Sequence, residues 1–237
     1  MGDSPKETGF PQAIIFDFDG VIADSEPLHL RAYQVVLGPE GIELTKEQYY
    51  DRYLGYDDAG LFETLAIDRG IAASPQRIER WVASKTTVVE RMLASDSVLF
   101  AGAVTCVKTF AAYLPLAIAS GALQPEIEIV LNHAGLRDCF TAIASASDGV
   151  RGKPAPDLYM LAVAKLKQHG ALDAAACVAV EDSRWGIDVA RQAGLRCVAV
   201  THTYPASELG NADLIVDRLS ELTLSKIAGM RDNGPTR

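Results

Sequence analysis

Four short stretches of this chain combine residue types that together could hold a phosphate group and a divalent cation. The first is Asp17-Phe18-Asp19-Gly20-Val21. On an extended segment, carboxylates two residues apart point to the same side. Two like charges that close repel, so a bound cation is a natural reason to keep both; an ordinary solvated Asp-Gly turn is the plainer alternative. The second is Ser120-Gly121, where a hydroxyl and backbone N–H groups at a helix entrance can accept phosphate oxygens. The third is Gly152-Lys153-Pro154-Ala155-Pro156. Its two prolines stiffen the segment, so Lys153 is presented to an anion at low entropic cost. The fourth is Val180-Glu181-Asp182-Ser183. Asp182 or Ser183 there could simply cap the next helix, but capping leaves the pair of adjacent acids unexplained. Oxygen ligands of this kind suit Mg²⁺.

Each stretch follows an apolar run. These runs read as strands: Ala13 to Phe18, Leu114 to Ser120, Phe140 to Ser145, Cys177 to Val180, Arg196 to Val200, and a short edge strand from Asp213 to Val216. Continuous apolar runs of this length suit strands buried on both faces of a parallel sheet. Helical patterns lie between them, at about 103–113, 125–135, 156–168 and 184–193, with Gly135, Gly170 and Gly194 placed as left-handed caps. Strands alternating with helices predict an α/β fold with a doubly wound parallel sheet. Residues 26–95 break the rhythm: they hold no good strand and many helix formers, with breaks near Gly38-Pro39, Gly55 and Ser74-Pro75. The expected organisation is a core of 1–25 and 96–237, with a helical domain inserted at 26–95. The last residues, from Arg231, are expected to fray.

Composition narrows the function classes. The 237 residues are 49% hydrophobic and 22% charged, ordinary for a globular chain. A formal net charge of −9 argues against nucleic acid as a partner. It also means that phosphate must be neutralised locally, by a metal and placed cations. No apolar run approaches the roughly 20 residues of a membrane span. The opening MGDSPKETGF has no signal-peptide character, and Lys6 breaks the myristoylation pattern. Cys106, Cys139, Cys177 and Cys197 form no CxxC pair and read as small core residues of a reducing compartment. The expectation is a cytoplasmic protein, monomer or homodimer, that binds neither membrane nor nucleic acid.

In residue type, order and spacing, the four stretches resemble the motifs of the haloacid dehalogenase superfamily, in the subfamily whose helical cap follows the first strand. The resemblance runs from about Ala13 to Val216. It implies that Asp17 is a nucleophile that becomes transiently phosphorylated and that Asp19 is the general acid/base. It implies Ser120 and Gly121 as the phosphate seat, and Lys153 as the cation steadying nucleophile and phosphate. Mg²⁺ would be held by the Asp17 side chain, the Asp19 backbone carbonyl and Asp182, with Glu181 a direct or water-bridged ligand. An aspartate with the ordinary pKa near ~3.9 is ionised at neutral pH and needs no base to attack phosphorus. It does need Mg²⁺ and Lys153 to relieve anion–anion repulsion. Dehalogenases and phosphonate-cleaving relatives lack the second aspartate, so Asp19 points to phosphate esters.

The inserted domain decides the substrate. Asp24-Ser25-Glu26-Pro27-Leu28-His29 resembles the hinge of capped phosphatases and of β-phosphoglucomutase, and Lys85 falls near a cap lysine of that group. His29, Lys85, Tyr56 and Asp58 are the candidate substrate residues, although His29 could pack its helix and Lys85 could be solvated. A mutase must grip a second phosphate with an arginine after Leu54-Gly55. This chain has Tyr56-Asp57-Asp58 there, with Arg52 out of register. The expected activity is therefore hydrolysis of a small phosphorylated metabolite. A sugar-phosphate mutase and a catalytically weak binding protein on the same fold are the alternatives.

Overall fold

The computed structural model describes residues 11–54, 56–95 and 97–230. Gly55 and the segments before 11 and after 230, including the tail expected to fray, lie outside the described residues. The chain divides into two compact units, Met1–Asp24 with Leu99–Arg237 and, separately, Ser25–Val98.

In chain order, β1 (Ala13–Phe16) is followed by α1 (Glu26–Leu37), α2 (Lys46–Gln48), α3 (Asp58–Asp68) and α4 (Pro75–Ser95). Then come α5 (Ala103–Ala111), β2 (Leu116–Ala119), α6 (Gln124–His133), β3 (Ala142–Ala144), α7 (Asp157–Lys167) and β4 (Cys177–Glu181). The chain continues with α8 (Arg184–Gln192), β5 (Arg196–Val200), β6 (Leu214–Val216) and α9 (Leu224–Ala228). The strands form one sheet in the order β3-β2-β1-β4-β5-β6, with every pairing parallel. The doubly wound α/β expectation holds. The chain lays β2 and β3 on one side of β1, then returns to lay β4 on the other. The topological switch point, where such sheets bind ligands, therefore lies at β1 and β4.

Every residue of β1, β2 and β4 is buried, as strands covered on both faces must be. Alternation then sorts the side chains. Ala117, Ala119, Ala142, Ala144, Ala179 and Ala199 share one core cluster with Leu158, Tyr159 and Ala162 of α7 and Ile187 and Ala190 of α8. Small strand residues on that face let the two helices approach the sheet closely. The bulkier Ile14, Phe16, Ile118, Val178 and Val180 take the alternate positions.

Four of the expected strands come out shorter, β5 keeps its expected bounds, and β4 runs one residue further, to Glu181. Phe18, Ser120 and Ser145 lie beyond strand ends, and Pro115, which has no N–H for a ladder, precedes β2. Gly135 and Gly194 adopt the left-handed conformation, at φ 62° and 84°. Gly170 does not. There α7 unwinds through tight bonds instead: the His169 N–H donates to Leu166 (3.0 Å) and the Gly170 N–H to Lys167 (3.4 Å), which satisfies the last carbonyls without a left-handed residue.

The second unit is helical and has its own core, in which Tyr33, Tyr53, Leu61, Phe62, Leu65 and Trp81 pack together. Thr45 and Gln48 form a capping box on α2, and the Asp57 carboxylate accepts from the Gly60 N–H (2.7 Å) to cap α3.

Ile118 is fully buried at the middle of β2. Ile118→Ala is expected to cost about 2–5 kcal/mol of core stability. The chain's two tryptophans are Trp81, in the helical unit, and Trp185, in the sheet unit. The loss can thus be measured as a lower urea midpoint from Trp185 fluorescence in a Trp81→Phe background.

Candidate active site

Strand register brings the chemical residues to one edge. Phe16 pairs with Ile118 on one side and Val180 on the other, and Glu181 pairs with Ala199. Asp17, Ser120 and Glu181 thus emerge at the carboxyl ends of adjacent strands. The Asp17 N–H still donates to Val180 (2.9 Å), which extends the ladder by one bond. After that the chain folds on itself. Ile22 and Ala23 N–H groups donate to the Phe18 carbonyl, and the Gly20 N–H donates to Ala23. Gly20, at φ 80°, makes this turn possible. A Cβ there would stand 2.0 Å from Asp182 Oδ2, so this glycine also leaves the space that the Asp182 carboxylate fills.

Lys153 is the centre of the site. Its Nζ donates to Asp17 Oδ2 and to Glu181 Oε1, both at 2.5 Å. Arg151 and Asp157 close the Lys153 loop with paired 2.9 Å hydrogen bonds, and the Ala155 N–H donates to Gly152 (3.0 Å). The other Asp17 oxygen accepts from the Phe18 N–H (2.8 Å). Glu181 is fully buried; its Oε1 also accepts from the Tyr159 hydroxyl (2.7 Å), and its Oε2 accepts from the Asp182 N–H (3.3 Å) and the Ser183 hydroxyl (3.4 Å). Ser183, not Asp182, caps α8 by accepting from the Gly186 N–H (3.1 Å). Asp182 is thereby released from the capping role that the sequence left open.

Asp17, Glu181 and Asp182 are buried and converge, with one oxygen from each within 4.8 Å of the others. Asp19 is not one of these three acids; it follows the end of β1 at Phe16 and lies in the folded turn. The electrostatics follow from burial. Burial pushes the Asp17 carboxyl well above the usual carboxylate range, with Glu181 and Asp182 adding to it against the pull of Lys153. Asp182 is pushed up to about 6, chiefly by burial. Burial disfavours the Lys153 charge, but Asp17 and Glu181 outweigh it and hold the ammonium above the ordinary lysine range. Three carboxylates facing one ammonium leave two negative charges uncompensated when all are ionised. An all-oxygen donor set with that deficit fits a divalent hard cation.

Ser120 is buried, and its hydroxyl accepts from the Ala122 N–H (3.1 Å). It is not at the helix entrance expected for it, since α6 begins only at Gln124; Gly121 is exposed. In the helical unit, Lys85 is buried rather than solvated. Its Nζ meets His29 Nδ1 (2.9 Å) and donates to Asp58 Oδ1 (2.8 Å), which also accepts from the Tyr33 hydroxyl (2.6 Å). Tyr56 is exposed, and Arg52 is ion-paired with Asp68.

Four residues of the site were not anticipated. Tyr159 reads as one apolar residue of a helix, and nothing local marks its hydroxyl. His202 and Thr203 follow β5 as a polar break after an apolar run, the same signal that marked the other strand ends. Gly186 sits in the first turn of α8, where glycine is a poor helix former. A Cβ there would lie 1.9 Å from Glu181 Oε2.

The haloacid dehalogenase-like hydrolase family matches residues 11–194. Fructose-1-phosphate phosphatase YqaB of Escherichia coli K12 is 32% identical over 187 residues, covering 79% of this chain and 95% of that protein. Hexitol phosphatase B of the same organism is 31% identical over 239 residues, covering 92% and 96%. The crystal structure of CbbY from Rhodobacter sphaeroides in complex with phosphate superposes with a TM-score of 0.76 at 27% identity, covering 90% of this chain and 96% of that one. The chain belongs to the haloacid dehalogenase-like hydrolases, as its motifs implied, and it is a phosphatase of that family. Among the described residues, no helix is long and apolar enough to cross a membrane.

The raised Asp182 carboxyl makes a stability prediction for the metal-free chain. Its folded pKa of about 6 exceeds the ordinary 3.8, so the folded state binds the proton more tightly. That stabilises folding below 3.8 and is lost as pH rises through about 6. In chelator at pH 7, Asp182→Asn is therefore expected to stabilise the chain by about 1–3 kcal/mol. The advantage should shrink as pH falls from about 6 toward 3.8, as read by melting temperature across that range.

Proposed function

We propose that the chain is a Mg²⁺-dependent phosphomonoester hydrolase acting on small sugar or polyol phosphates through an aspartyl-phosphate on Asp17. The observation that carries this reading is the Lys153 ammonium bridging Asp17 and Glu181 beside Asp182. An aspartate so placed has a fixed orientation and a counter-charge. In the first step an Asp17 carboxylate oxygen attacks phosphorus, the ester P–O bond breaks, and the Asp19 carboxyl protonates the departing alkoxide. Water then attacks phosphorus and gives a proton to the Asp19 carboxylate, while the acyl-phosphate P–O bond breaks. Inorganic phosphate leaves and Asp17 is restored.

In this reading Lys153 steadies the nucleophile and the phosphoryl oxygens, and Ser120 and Gly121 seat the phosphate. The metal would be held by the Asp17 and Asp182 side chains and the Asp19 carbonyl. Glu181 is close enough to contribute directly or through water, but it also anchors Lys153. Mg²⁺ would supply the positive charge that keeps Asp17 ionised and screens the substrate phosphate from the acids.

Substrate choice is assigned to the Ser25–Val98 domain, with His29, Lys85, Asp58 and Tyr56 as its candidate residues. The names of the fructose-1-phosphate and hexitol phosphatases support an open-chain or ketose sugar monophosphate. The arginine that a mutase would need after Leu54-Gly55 is replaced by Tyr56-Asp57-Asp58, and the nearby Arg52 is paired with Asp68, which favours hydrolysis over mutation. All four cysteines are free thiols, in keeping with a cytoplasmic setting.

Phosphate release from an aryl phosphate should require Mg²⁺ and stop on chelation. Asp17→Asn should lower kcat by at least about 10³-fold with the fold intact by circular dichroism, as expected when a covalent nucleophile is lost. Near-wild-type turnover by Asp17→Asn would exclude the mechanism. Hexose 1-phosphate isomerisation that outruns phosphate release, with a bisphosphate primer present, would favour the mutase.

A further inference from the structure

The loop after β5 contributes two contacts that no motif covers. The Thr203 hydroxyl donates to Asp182 Oδ2. One residue earlier, His202 Nδ1 lies 3.0 Å from the Gly20 carbonyl. A carbonyl only accepts, so Nδ1 carries the proton of that bond. The imidazole is stacked on Phe100, with ring centroids 3.9 Å apart and planes at 21°. Asp182 Oδ2 is thus confined on two sides: Thr203 bonds it, and the Cα of Gly20 leaves it just enough space.

We propose that His202 and Thr203 are positioning residues that set the metal-binding geometry. Thr203 fixes the rotamer of Asp182, and His202 ties down the turn that presents Asp17 and Asp19. The inference rests on the Mg²⁺-dependent reading above. The physical ground is that an oxygen ligand binds a metal well only when its orientation is set in advance. Residues that fix ligands in this way typically change metal affinity by about 10–100-fold. The two adjacent residues restrain one carboxylate just past the end of β4 and one carbonyl from the turn after β1. They therefore link the turn and the carboxylate that would share the ion.

The test measures Mg²⁺ binding by titration calorimetry, independently of turnover, together with kcat and KM. Thr203→Val keeps the side-chain shape and removes the donor, while Thr203→Ser keeps the donor. The expected result is Mg²⁺ binding weakened about 10–100-fold in Thr203→Val, with Thr203→Ser close to wild type. His202→Phe keeps a ring to stack on Phe100 and loses the N–H, whereas His202→Asn restores a donor at that position. His202→Phe is expected to lower kcat at saturating Mg²⁺ with little change in KM, and His202→Asn to recover part of it. Wild-type Mg²⁺ affinity in Thr203→Val, or an equal loss in Thr203→Ser, overturns the role of Thr203. Unchanged kcat in His202→Phe overturns that of His202. A wild-type chain that binds no Mg²⁺ overturns the metal-dependent reading and this proposal with it.

Discussion

One ammonium among three buried carboxylates is the constraint on which the site depends. Lys153 can satisfy two of them, and it does so with both bonds at 2.5 Å. Removing one partner of such a buried arrangement leaves an uncompensated charge, which costs far more than the intact pair contributes. The surrounding structure accordingly serves to hold Lys153 and Glu181 in place. Tyr159 fills a lone pair of Glu181 from α7, and the Arg151–Asp157 pair closes the loop that carries the lysine.

The sheet makes that arrangement possible at little conformational cost. β1 and β4 are neighbours although β2, β3 and seven helices, α1 to α7, separate them in the chain. Their register sets Asp17 beside Glu181 without any flexible connection. Rigid strands thus hold the acids close together, and the backbone rather than side-chain packing resists their repulsion. The alanine-rich face also matters, because it lets α7 come near enough for Tyr159 to reach the end of β4.

Much of this was legible in the chain. The apolar runs marked all six strands, and polar residues after four runs marked Asp17, Ser120, Lys153 and the Glu181-Asp182 pair. What strand-end patterns could not show was direction and partnership. The Asp17-Phe18-Asp19 spacing alone did not separate the two carboxylates, yet the backbone turns after Phe16, and Asp17 is the one of the two that joins the acid cluster. For Lys85 the sequence left both a substrate role and an ordinary solvated lysine open, because a lysine is normally exposed. Its burial depends on His29 and Asp58, 56 and 27 residues away in sequence. Tyr159 was hidden for the same reason, since its hydroxyl partner lies on another element. Thr203 and His202 did carry the strand-end signal, but β5 had no acid to draw attention to it.

Gly186 contributes no charge, hydroxyl or lone pair, yet the Glu181 carboxylate occupies the volume that any larger residue would need. The position is therefore a tracer for the lysine anchor. A related chain with Ala or anything bulkier there must have shortened the acid, moved the start of the helix, or given up the bridge to its lysine. Reading that one position would separate relatives that keep this charge arrangement from those that retain only the fold.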